Sequence, residues 1–140
     1  MHDPNAKGPN HWPVIFDAIE AEDHARVEAL LNDGADIEIA GFQGATPVLA
    51  AAIIDDWPMV LYLLHRGARA DVADRRGFTL PYLAATSRVD LHSRYGKALL
   101  ETRKILDQRG LAQYGYAPEQ VRRMMHEGTW PPLSNEKHPF

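Results

Sequence analysis

At 140 residues, 45% hydrophobic and 24% charged, the chain has the composition of one globular domain, long enough for a single continuous core. A formal net charge of −4 with no basic stripe argues against nucleic acid as a partner, and the lack of cysteine excludes disulfides and thiolate zinc sites and fits a reducing compartment. The longest apolar run, 47–54, is far too short to cross a membrane, and the first twelve residues lack the apolar centre of a signal peptide, so a cytoplasmic protein is expected.

Residues 1–12 carry Asp3-Pro4, Gly8-Pro9 and no periodicity, which predicts a flexible tail. Trp12-Pro13 opens a first inner helix with Val14, Ile15, Phe16, Ala18 and Ile19 as its apolar content. Asp17, Glu20 and Glu22 are expected on its outward side, as the polar surface of a terminal unit. Asp23 is placed to cap a second helix whose Val27, Leu30 and Leu31 stand at i, i+3, i+4, one apolar stripe. Gly34 follows where a helix needs a left-handed stop.

A connection runs from Gly34 to Gly44, and then the pattern returns. Thr46-Pro47 opens another helix, with the Thr hydroxyl expected to cap it and the proline suited to the first turn. Ala50, Ala51 and Ala52 are small enough for close packing. Asp56 is the next cap, with Pro58 in the first turn, ahead of Val60, Leu63, Leu64 and Gly67. In the following copy the proline moves by one place, to Thr79-Leu80-Pro81, which is expected to alter the helix start without abolishing it.

The third copy breaks the count. Ser93, Gly96 and Lys97 fall where the stripe is due, and the spacing reappears only at Thr102, Ile105 and Leu106, ahead of Gly110. The extra residues, around 88–97, are expected to divide between a longer loop and a helix extended backward through Leu99 and Leu100. A closing helix is predicted over 117–127, where Val121, Met124, Met125 and Gly128 repeat the spacing of Val27, Leu30, Leu31 and Gly34. Residues 129–140 read as an extended tail lying against the last helices through Trp130 and Leu133.

Val27, Leu30, Leu31, Gly34, Ala35, Gly44, Thr46 and Ala51 all recur 33 residues later, as Val60, Leu63, Leu64, Gly67, Ala68, Gly77, Thr79 and Ala84. That period marks a stacked repeat. The run from Gly44 through Thr46, Pro47 and Ala52, followed by Val60, Leu63, Leu64, Gly67 and Ala68, resembles the ankyrin repeat over roughly residues 13–110. The resemblance implies an all-α protein, an α-solenoid of stacked helix-turn-helix repeats with short projecting hairpin loops. The array would span 13–128, with repeats at about 13–40, 41–73 and 74–110. Its hairpin tips would be Ala40 to Gln43 and Ala73 to Arg76.

No catalytic constellation emerges. His2, His11, His24, His65, His92, His126 and His138 include no pair three or four apart, so no metal site is expected; His65 suits the end of its helix. Asp55-Asp56 and the Glu20, Glu22, Asp23 cluster are read as capping and rim residues. The glycines are spaced for helix stops, not for a phosphate loop, and no nucleophile elbow is present. The expectation is therefore no enzyme, no cofactor and no metal.

The resemblance implies a recognition surface built from hairpin tips and the exposed side of the inner helices. Carried over by position, this marks Phe42, Gln43, Ala45, Ile53 and Ile54 in the central unit, and Arg75, Arg76, Phe78, Thr86 and Ser87 one period on. Phe42, Ile53, Ile54 and Phe78 would form an apolar centre with the two arginines at its rim. In the competing reading, Ile53 or Ile54 packs under the neighbouring helix or the inserted loop, and Trp57 covers the turn between helices. The function expected is binding of one protein partner by a monomer, in the preferred version an immunity or inhibitor protein that neutralises a basic toxin or effector. The alternatives are a scaffold or adaptor using residues 129–140, and a small-molecule sensor or enzyme built on Asp90, His92 and Arg94 with a deep pocket beside His92.

Overall fold

The computed structural model describes residues 3–132; His2, Leu133 and His138 lie outside them. Among the described residues there are seven α-helices and no strand: α1 (Val14–Glu20), α2 (His24–Asn32), α3 (Pro47–Ile53), α4 (Trp57–His65), α5 (Leu80–Thr86), α6 (Arg94–Gln108) and α7 (Pro118–Glu127). The first residues of α1, α3 and α5 are 33 apart, as are those of α2 and α4. Each short inner helix packs on its outer partner, α1 on α2, α3 on α4 and α5 on α6, and the units are joined through α1–α3, α3–α5 and α4–α6. None of the helices is long and apolar enough to cross a membrane.

The apolar stripes meet between the units. Val27, Val60, Leu63 and Leu106 are all essentially inaccessible to water. Thr102 holds the place of a valine in the third stripe and is also buried, its hydroxyl donating to the Ala98 carbonyl (2.9 Å). That bond is what lets a polar side chain sit there without leaving a buried donor unpaired. The inserted residues form a loop from 87 to 93 and lengthen α6 to 15 residues, against nine in α2 and α4. The added turns bury Leu99, whereas Leu100 is exposed.

Helix starts follow local chemistry, with two departures from expectation. Asp23, Asp56 and Thr79 each accept from the backbone N–H three residues on, at 3.1–3.2 Å. Thr46 does not: its hydroxyl is enclosed without a partner, and α3 relies on the fixed φ of Pro47 for its first turn. The displaced proline leaves the start of α5 in register with α3. Proline lacks only an N–H that the first two helical positions leave unpaired in any case.

The ends of α2, α4, α6 and α7 are alike. Ala35, Ala68, Leu111 and Thr129 donate to the carbonyls of Leu30, Leu63, Leu106 and Met124, at 2.8–2.9 Å. Each bond closes over a glycine at positive φ: Gly34, Gly67, Gly110 and Gly128. This is the six-residue closure that satisfies the last carbonyls of a helix.

Residues 3–13, expected as a flexible tail, form a hairpin. The Gly8 N–H donates to the Trp12 carbonyl (2.8 Å), as Gly41 does to Ala45 (2.8 Å) and Asp74 to Phe78 (3.0 Å). His11, Gly44 and Gly77 all stand at positive φ in these turns. The three hairpins are 33 residues apart, so the segment before α1 is the hairpin of the first unit. Asn5 ties it to the next connection by accepting from the Asp36 N–H (2.8 Å).

The closing helix also differs from the outer-type helix expected. α7 has no extensive contact with another helix. It rests on the hairpin at 74–77, where Gly77 meets Pro118 and Arg122 donates to the Arg76 carbonyl (2.7 Å). The short turn 112–114 lies against α5 and α6 instead. Trp130 and Pro131 line a hollow with Val72 of the connection, Pro81 of α5, and Leu111 and Tyr114 beyond α6.

Polar bonds lock the units. Trp57 is wholly buried, and its indole N–H is shared between Asp55 Oδ1 (3.0 Å) and the Ser87 hydroxyl (3.2 Å), which itself donates to Asp55 (2.6 Å). Asp56, also wholly buried, caps α4 with one oxygen and lies 2.8 Å from His24 Nε2 with the other. Between the connections, Glu38 accepts from the Arg69 N–H (2.9 Å).

Two predictions follow from this packing. Gly67→Val should cost about 1–2 kcal/mol for the forced left-handed residue, since no atom crowds its missing Cβ. Gly77→Val should cost more in urea denaturation, because a Cβ there collides with the Pro118 carbonyl. Burial raises the Glu38 carboxyl above its ordinary value, outweighing the Arg69 N–H and charge, which lower it. A raised carboxyl favours the fold when protonated, a contribution complete below its unfolded pKa and lost as pH rises through the folded one. Glu38→Gln should therefore melt above the wild type at pH ~7, with the gap closing below pH ~4.

Candidate binding groove

The repeat register explains where the surface is hollow. On the 33-residue grid Trp12, Ala45 and Phe78 are equivalent, as are Asp17, Ala50 and Leu83, and Glu20, Ile53 and Thr86. The central unit thus has alanine at two positions where its neighbours carry larger side chains. The result is a groove of about 400 Å³ with Ala45 and Ala50 in its floor. Trp12, Phe16, Phe42, Ile53 and Ile54 supply its apolar lining, and Asn10, Asp17, Glu20 and Arg76 its polar edge.

Three hairpins and two helices hold these side chains. The first hairpin brings Trp12 edge-on to Phe42 of the second (centroids 6.2 Å apart, planes at 85°), a favoured geometry for ring quadrupoles. α1 and α3 contribute the wall and floor. The third hairpin supplies Arg76, whose guanidinium lies 5.6 Å from the Phe42 ring and 5.0 Å from that of Phe78. Asp74 fixes it, accepting from Arg76 Nη2 (2.7 Å) and Nε (3.0 Å), while its other oxygen takes the N–H groups of Arg76 and Phe78. The Asp74 carboxylate is fully buried, so this pair is held tightly. α7 supports the same tip from behind through Arg122.

Five of the residues expected at a recognition surface meet in the groove: Phe42, Ala45, Ile53, Ile54 and Arg76. Ile53 is 37% exposed, Ile54 42% and Phe42 56%, so neither isoleucine is covered by a neighbouring helix. The other five do not line it. Phe78 lies beneath Arg76. Gln43 acts through its carbonyl, which accepts from the Arg75 N–H (2.7 Å), and the stem of Arg75 runs beside Gly44. The Thr86 hydroxyl donates to the Tyr82 carbonyl (2.8 Å), and that of Ser87 is taken by Asp55. Asn10, Trp12, Phe16, Asp17, Ile19 and Ala50 also line the groove without having been expected there. Extending the 33-residue period backward from Gly41 and Ala45 to Gly8 and Trp12 would have found the first two.

The inserted loop makes a different arrangement. Arg94 stacks on Tyr95 (4.7 Å), and the Tyr95 hydroxyl donates to Glu22 (3.1 Å), drawing the start of α6 against the first unit. The hollow beside it is lined by Glu22, Ile54, Asp55, Val89, Asp90, Ser93 and Tyr95, and His92 is not among them. Among the described residues no group of three or more His, Asp or Glu is placed to hold a metal ion.

No family model matches the sequence. The structure is similar to the crystal structure of the ankyrin repeat domain of Bcl-3, described as a unique member of the IkappaB protein family, with a TM-score of 0.62 and 21% identity. The match covers 89% of this chain and 56% of that one, so the chain spans little more than half the length of the solved domain. With its helix pairs stacked at a constant period and a hairpin projecting before each inner helix, the chain has the ankyrin-repeat fold.

Proposed function

We infer that this chain is a non-catalytic binding module that engages one protein partner through the groove and the hairpin tips around it. One observation carries the reading: of the seven large hydrophobic side chains exposed among the described residues, four (Trp12, Phe42, Ile53 and Ile54) line this single groove. Scattered apolar side chains need no explanation, but a contiguous patch with aromatic and arginine anchors is the composition of a protein interface. The ankyrin-repeat fold supports the same assignment, since a stack of repeats presents an extended surface for partners.

In its specific form the reading is of a cytoplasmic monomer that acts as an immunity or inhibitor protein, occluding a basic toxin or effector. The net charge of −4 suits capture of a basic protein by electrostatic steering. In this reading the array runs over residues 13–128, as repeats at 13–40, 41–73 and 74–110 with the helix at 117–127 closing them. The hairpin before residue 13 is counted as part of the binding surface.

The test is Ile53→Asp combined with Ile54→Asp. Both side chains are partly exposed, so the variant should keep the wild-type helical circular dichroism. A partner recovered by pull-down with the tagged chain should bind it more weakly by about 2 kcal/mol or more, roughly thirtyfold, in calorimetry. Unchanged affinity in a folded variant means that the partner sits elsewhere.

A further inference from the structure

The binding reading leaves the occupant open, and the groove's own asymmetry specifies it. At the first-unit end α1 presents the exposed Glu20; Asp17 beside it accepts from the Asn10 side chain with one oxygen (2.8 Å) and has the other enclosed against Gly8. In the middle the floor drops at Ala45 and Ala50. At the third-unit end stands Arg76. Asp74 engages its Nε and Nη2, and no described hydrogen bond engages Nη1. Because Asp74 neutralises much of the charge, Arg76 offers directed N–H donors on a guanidinium immobilised over two rings. Such a donor favours a carboxylate, which gives the stronger charge-assisted bond.

We propose that the groove takes a short segment of a partner protein bearing one bulky apolar side chain between an acidic and a basic residue. The apolar side chain fills the hollow over Ala45 and Ala50. The carboxylate meets Arg76 Nη1, and the cation lies toward Glu20. An acidic side chain at one end and N–H donors at the other fix the direction of the segment, because the reverse placement brings its carboxylate to Glu20 and leaves the Arg76 donors facing a cation. This specifies the partner chemistry of the site proposed above and rests on that reading.

Panning a random peptide display library on the immobilised protein tests it. The wild type should enrich sequences with an apolar centre flanked by one acid and one base. Arg76→Met made together with Asp74→Asn removes the donors without leaving the buried Asp74 carboxylate unpaired, so the acidic preference should be lost while the apolar one stays. Glu20→Lys alters an exposed side chain with no described bond, and should replace the basic preference by an acidic one. A wild-type consensus without flanking charges, or the same charges enriched on both variants, overturns the proposal. Panning on the Ile53→Asp, Ile54→Asp protein separates the two levels. If the wild type yields no consensus at all, or one that this pair does not abolish, the groove itself is the wrong surface. If the pair abolishes binding and the charge variants change nothing, only the assigned chemistry fails.

Discussion

A helix of seven residues does not hold itself together in water, because the cost of nucleation is spread over too few hydrogen bonds. α1, α3 and α5 have that length, and they persist because each is clamped between an outer helix and the next inner one. The clamp requires that every copy present the same stripe at the same height, and so the constant spacing of the units is the condition on which the structure depends. Val27 and Val60 are buried by the same contacts one unit apart. Each outer helix is stopped by the same closure over glycine, and after α2 and α4 the chain passes from it into the connection to the next hairpin.

That condition also decides where variation is tolerated. The residues added before the third outer helix do not disturb the stack, because they extend α6 into contact with α4 and leave Thr102 and Leu106 where the stripe needs them. The hairpin ends and the open side of the inner helices make no such contribution, and there the three copies diverge. Trp12, Ala45 and Phe78 occupy one position in three units, and the contrast between a large, a small and a large side chain is what makes a groove. The hollow is thus a by-product of register, cut by substitutions at places the stack does not use.

The stack was legible in the sequence because apolar stripes and helix-stopping glycines are dictated by local physics and repeat with it. The first hairpin was not, because its turn places His11 where later copies have Gly44 and Gly77, and a histidine at positive φ carries no turn signature. α7 repeats the outer-helix spacing at Val121, Met124 and Met125, but that pattern says only that one face is apolar. Which surface covers it is a tertiary matter, and here it is a hairpin. Thr46 and Thr79 look equivalent, yet only Thr79 caps its helix. Of the surface residues, Ile53 and Ile54 follow from position in the repeat. Ser87 does not, because its hydroxyl is committed to Asp55 and Trp57, two residues from another unit.

The bond from the Arg75 N–H to the Gln43 carbonyl joins neighbouring hairpins by their main chains. The distance between those two tips is therefore set by backbone geometry and does not depend on which side chains the tips carry. Exchange of a side chain at either tip alters the chemistry of the rim while this main-chain link between the tips stays in place. If the chain binds as proposed, its preference can drift one tip at a time on a frame whose dimensions are inherited.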